Sequence, residues 1–193
     1  MERLAIFVDG ANLFYVQQSL GWRMDWKRFL DYFSQGQQLY NAFYYTGIRV
    51  PLPEGEESFL RALTNMGYTV RRKLLKRYTD EYTGTVVERA NLNIEIAIDV
   101  FTTMDLYDRA LLATGDGDFE RLVEVLRVHG KRVLCVSTFG CVALELRNAV
   151  DHYVDLSELR DQLERRWPPP VESPSGAVPP LEPAGEAPPL STS

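Results

Sequence analysis

Short apolar runs rich in β-branched and aromatic residues alternate along this chain with segments whose apolar residues recur at helical spacing. The runs Leu4 to Val8, Leu39 to Tyr45, Tyr68 to Leu75, Ala110 to Ala113 and Arg132 to Val136, with a weaker one at Tyr153 to Val154, read as strands. Between them, Trp26, Phe29, Leu30 and Phe33 mark one amphipathic helix. Phe59, Leu60, Leu63 and Met66 mark a second, Ile94, Ala97, Ile98 and Phe101 a third, and Leu122, Val123 and Leu126 a fourth. Gly67 and Gly130 follow two of these segments, where a left-handed residue closes a helix. Strand and helix repeated in this way imply right-handed crossovers and an α/β fold: a doubly wound, mostly parallel sheet with helices on both faces. Lys76 to Glu88, with Thr83-Gly84 in its middle, reads instead as a hairpin or ordered loop projecting from the domain.

The pattern stops near Trp167. Nine of the 11 prolines fall between Pro168 and Pro189, so the chain divides into a domain over 1–166 and a proline-rich tail over 167–193. The tail is expected to be disordered with polyproline-II character and to act as a spacer. The net charge is -6, and without the tail's three glutamates it is -3, so the whole-protein field does not attract nucleic acid. A local basic patch or bound cations would have to hold it. Cys135 and Cys141 form neither a disulfide framework nor a metal motif, and the apolar run after Met1-Glu2-Arg3 is too short for a signal sequence or a membrane span. A cytoplasmic protein is expected.

Asp9 ends the first strand and precedes Gly10, while Asp116 and Asp118 follow the strand Ala110 to Ala113 inside Thr114-Gly115-Asp116-Gly117-Asp118-Phe119. In an open α/β sheet the carboxyl ends of the strands form the ligand crevice, deepest where the strand order reverses. If these two strands are neighbours, three acids meet there. Like charges at such range repel, and a hard divalent cation is the natural neutraliser. Carboxylates suit Mg2+ or Mn2+, whereas two histidines, no motif-spaced thiols and no HExxH argue against zinc. A metal so held activates water and steadies the charge on a phosphodiester, most effectively as a pair of ions about 4 Å apart. Each acid also has a structural reading, as an Asp-Gly turn or, for Asp118, a helix N-cap. An EF-hand beginning at Asp116 is excluded, because Arg121 and Arg127 stand where Gly and Glu are required. An aspartyl-phosphatase reading is weakened by Ala11, where a second Asp is wanted.

Phe7-Val8-Asp9-Gly10-Ala11-Asn12-Leu13 together with Thr114 to Phe119 resembles the NYN domain family of the PIN-like ribonuclease superfamily. The resemblance extends through Arg89 to Glu95 and Leu146 to Asp151, covers Arg3 to about Arg165, and is nearest the cyanobacterial low-amplitude-and-bright branch. It implies a PIN-like parallel sheet, magnesium-dependent cleavage of RNA, and Asp9, Asp116 and Asp118 as catalytic metal ligands. Asn12 matches the Asn of the first motif, with the role of orienting a ligand or a carboxylate, and Asp99 matches a recurrent helix acid, which makes it a second-tier candidate metal ligand beside Asn93. Asp99 reads equally as a salt-bridged helix residue. Asn93 stands where relatives carry Asp, which offers an oxygen without charge and lowers the expected metal affinity and activation. Glu95 does not share its helix face. The branch is associated with circadian output regulation, so a non-catalytic regulatory module with an RNA or protein partner is the rival expectation. A homo-oligomer stays open.

Arg71, Arg72, Lys73, Lys76 and Arg77, near Tyr68, Tyr78 and Tyr82, form the one dense basic and aromatic stretch. It suits a single-stranded RNA backbone with stacked bases, with Arg72 and Lys73 as leading contacts, or equally a charged strand edge. Ser137 and Thr138 follow a strand and either line the crevice or satisfy a turn. His129 and His152 lack any nucleophile motif, and both cysteines read as small apolar residues.

Overall fold

The computed structural model of this chain describes residues 1–79 and 86–166. Six strands, β1 (Arg3–Asp9), β2 (Gln38–Ile48), β3 (Tyr68–Leu74), β6 (Arg109–Ala113), β7 (Arg132–Ser137) and β8 (His152–Asp155), form one sheet in the order β3-β2-β1-β6-β7-β8. Every neighbouring pair is parallel. The chain builds outward from β1 through β2 to β3, then returns to lay β6 on the other side of β1, with Val8 opposite Ala113. The strand order therefore reverses between β1 and β6, which places the crevice of a doubly wound sheet at their carboxyl ends.

The continuous apolar run in β1 reflects burial on both faces. Leu4, Ile6 and Val8 pack with α1 (Gly10–Leu20), α2 (Trp26–Ser34), α3 (Glu54–Asn65) and α7 (Arg160–Leu163). Ala5 and Phe7 point the other way, towards α4 (Asn93–Thr102), α5 (Glu120–Val128) and α6 (Leu144–Ala149). Phe7 stacks flat on Phe43 of β2, ring centres 5.3 Å apart. Gly67 and Gly130 have φ of 103° and 73°, the left-handed conformation expected at these helix ends.

Two expectations are corrected. The buried stripe of α4 is Ile96 and Val100, with Leu92 before them, while Ile94, Ile98 and Phe101 are exposed. The two apolar stripes compete, and ion pairs settle the roll: Glu95 meets Lys73 and Asp99 meets Arg71, turning that side of the helix towards β3. Tyr68, a candidate for stacking bases, is buried, and its hydroxyl donates to the Trp26 carbonyl at 2.9 Å.

The segment after β3 forms an antiparallel pair, β4 (Lys76–Thr79) with β5 (Val86–Arg89), separate from the main sheet. Thr83, Gly84 and Tyr82 lie outside the described residues, as does the tail from Trp167. Among the described residues no helix is long and apolar enough to cross a membrane.

Candidate metal and nucleic-acid site

Asp9 is both the last residue of β1 and the N-cap of α1. Its Oδ1 accepts the Asn12 backbone N–H at 3.1 Å and its Oδ2 accepts the Thr114 hydroxyl at 3.2 Å. Asp9 as a residue is only 8% exposed. Burial pushes its pKa above the ordinary carboxylate range, the bonds from Asn12 and Thr114 oppose that shift, and the charge of Asp116 adds to it.

Thr114 couples two acids. While its hydroxyl donates to Asp9, its oxygen accepts the backbone N–H of Asp116 at 3.2 Å. Asp116 caps the 3-10 turn Gly117–Phe119 by accepting the Asp118 N–H at 3.0 Å. Its other oxygen accepts the side-chain N–H of Asn93 at 2.9 Å, and the same Asn93 nitrogen lies 3.4 Å from Asp118 Oδ2. Asn93 thus spends the two hydrogens of its amide on two carboxylates, a neutral bridge where their charges would otherwise face each other.

Asn12 acts on the same loop from the opposite side, its Oδ1 accepting the Gly115 N–H at 2.9 Å. The glycines beside the acids allow this closeness. A Cβ on Gly115 would sit 1.8 Å from the Cys141 carbonyl oxygen, and one on Gly10 would sit 2.5 Å from the Tyr45 carbonyl oxygen.

Asp9, Asn12, Asn93, Asp116 and Asp118 are therefore brought to one place. Asp99 is engaged elsewhere: Arg71 donates to both its oxygens at 2.8 and 3.1 Å, and the Tyr45 hydroxyl donates at 3.0 Å. Lys73 donates to the Asn91 carbonyl at 2.7 Å and pairs with Glu95 at 2.6 Å, so it anchors the start of α4. That ammonium holds the Glu95 carboxyl below its usual range. Arg72 is exposed on β3. Thr138 is buried and donates to Asp155 at 3.0 Å. Ser137 is fully buried, with its hydroxyl 3.0 Å from where a Gly115 Cβ would stand. Cys135 is buried and its thiol is pushed up to about 12.

Two contributors carry no separate signal in the sequence. Thr114 is legible only as part of its motif, and Asn91, just before α4, accepts the Asn93 N–H on its Oδ1 at 2.8 Å. Among the described residues no three His, Cys, Asp or Glu side chains are placed to enclose an ion as they stand.

Residues 3–158 match the NYN domain. The chain belongs to the NYN domain family. Membership sets it within the PIN-like nuclease superfamily and agrees with the resemblance carried by the Asp9 and Asp116 motifs. Among NYN relatives it is 48% identical, over 85% of this chain and 89% of the other, to the Low amplitude and bright protein LabA of Synechococcus elongatus. In fold it is similar to a protein of unknown function from Vibrio parahaemolyticus, with a TM-score of 0.69 and 24% identity over 84% of this chain and 96% of that one.

Proposed function

We propose that this NYN domain is a magnesium-dependent, RNA-directed phosphodiesterase, with manganese as a substitute ion, acting on single-stranded RNA in the cytoplasm. The carrying observation is that Thr114 bonds to Asp9 and to the backbone of Asp116 at the reversal point of the sheet, while one Asn93 nitrogen bridges Asp116 and Asp118.

The donor set fits a hard divalent cation: Asp9, Asp116 and Asp118 supply carboxylate oxygens and Asn93 an amide oxygen. The bound ion would activate water and offset charge on the phosphoryl oxygens. The chain's own residues prepare that chemistry. Thr114 and the N-terminus of α1 hold Asp9 in one orientation, and Asn12 fixes the loop that carries Asp116. Asn93 keeps the acids compatible by donating N–H, so its amide must turn to present oxygen when an ion enters. The donated N–H groups place partial positive charge between the two carboxylates and so lessen their repulsion.

A second reading has its own observation. The nitrogen end of Asn93 faces Asp116 and Asp118, a bridge that a carboxylate at this position could not make because it has no N–H to donate. This favours a regulatory NYN module that binds RNA or a protein partner without cutting.

The deciding experiment is cleavage of labelled mixed-sequence single-stranded RNA with Mg2+ or Mn2+ by the native chain, by Asp9→Asn with Asp116→Asn, and by Asn93→Asp. Cleavage by the native chain that the double change abolishes supports the nuclease. A silent native chain with an active Asn93→Asp supports the regulatory module, and silence from both while the fold persists sinks the hydrolytic reading.

A further inference from the structure

A groove of about 1310 Å³ opens beside α1 between Gly10 and Gln17. It touches Gly10, Ala11, Gly47 and Asn91, beside the carboxylate site. It also touches Arg23, Met24 and Arg165, where the Arg165 N–H donates to the Arg23 carbonyl at 2.8 Å. Trp26, Tyr44 and Leu60 are its buried lining residues, and Phe14, Tyr15 and Phe59 its exposed aromatic ones. These three aromatics are 44%, 65% and 37% exposed, although large apolar side chains ordinarily seek cover.

The chemistry of the groove selects its occupant. The charged residues lining it are Arg23, Asp25, Glu56, Glu88 and Arg165, an excess of one negative charge, and Glu88 already pairs with Arg49 and Arg77. A phosphate backbone requires cations along its path, so nucleic acid fits poorly. Uncharged proline rings on an aromatic surface fit well, and aromatic-lined grooves are the ordinary receptors of polyproline II.

Such a segment begins two residues after Arg165, a lining residue of the groove. It runs Trp167-Pro168-Pro169-Pro170, with Pro174, Pro179 and Pro180 beyond. Tethering adds an effective concentration on the order of mM, so even weak intrinsic affinity fills the groove.

We propose that this groove is the docking channel for the chain's own proline-rich segment 168–180, laid against Phe14, Tyr15 and Phe59 beside the carboxylate site. The inference is independent of whether that site cuts RNA.

Amide chemical shifts of the full chain test it. In a variant with Pro168, Pro169, Pro170 and Pro174 all replaced by Ser, the amides of Phe14, Tyr15, Gly55, Ser58 and Phe59 shift while those of Leu111 and Val133 in the central strands stay put. In native protein the tail amides Val171, Ser173 and Ala177 differ from those of a free peptide spanning 167–181. The double change Phe14→Ser and Tyr15→Ser moves them to the free-peptide positions. Three results overturn the proposal. One is superposition of native and proline-replaced spectra at the groove residues. Another is a shift pattern that scales with protein concentration, which assigns the groove to a neighbouring copy. The last is groove amides that respond to an oligouridine but not to the proline changes, which makes it an RNA channel.

Discussion

The side-chain oxygen of Asn12 accepts the Gly115 backbone N–H at 2.9 Å, a bond spanning 103 residues of sequence that ties the first turn of α1 to the loop after β6. Asp9 lies on one side of this tie and Asp116 on the other, so their relative position depends on it. Asn12→Ala leaves a part-buried N–H without its acceptor and is expected to cost about 1–2 kcal/mol. The direct readout is hydrogen exchange at the Gly115 amide, which should speed by about tenfold for each 1.4 kcal/mol lost. Unchanged exchange there would show that the loop holds itself.

Asp9 makes stability depend on pH in an unusual direction. Burial raises its folded pKa above the unfolded value of about 3.9. Between those two values the native state keeps a proton that the unfolded chain has released, so stability falls as pH rises through the window and stays lower above it. Asp9→Asn should remove that slope and make the protein more stable than native at pH 7. Urea unfolding of both proteins from pH 4 to 8 checks this. Parallel curves would mean that Asp9 is charged in the native state at no cost.

Asn93→Asp replaces the bridging amide with a third charge facing Asp116 and Asp118. Without divalent ions the variant should melt below the native protein, because the site then gathers like charges with no donor between them. With Mg2+ the order should reverse, and the Mg2+ affinity by calorimetry should rise by at least about tenfold, since ligand charge sets affinity at oxygen sites. Equal affinity in both proteins would remove position 93 from the metal site.

Asp99→Asn separates a structural acid from a metal ligand. The change weakens the two-pronged contact with Arg71, which is half-exposed, so the loss should be about 1 kcal/mol after solvent screening. Mg2+ affinity should be unaffected. A drop in affinity comparable to that of Asp9→Asn would return Asp99 to the metal site.

The strands and the acids at their ends were legible because they rest on local signals. An apolar run buried on both faces is continuous in sequence, and Asp-Gly at its end marks the turn. The adjacency of β1 and β6, on which the whole site depends, joins Leu4 to Arg109 and leaves no local trace. The roll of α4 failed for the same reason. Its helical period was readable, but two apolar stripes fit that period, and the partners that chose between them, Arg71 and Lys73, sit on a strand far away in sequence. A basic neighbourhood in sequence does not reveal that the start of β3 is covered: Tyr68 packs against Trp26 and Tyr44, while Arg72, further along the same face, is exposed.

The placement of β6 against β1 also orders events in time. A growing chain folds from its N-terminus as it is made, and β1, β2 and β3 can gather before β6 exists. During that interval Asp9 has no Thr114 to orient it and no Asp116 beside it, whatever the RNA within reach. The full set of acids therefore exists only once synthesis has passed Asp118.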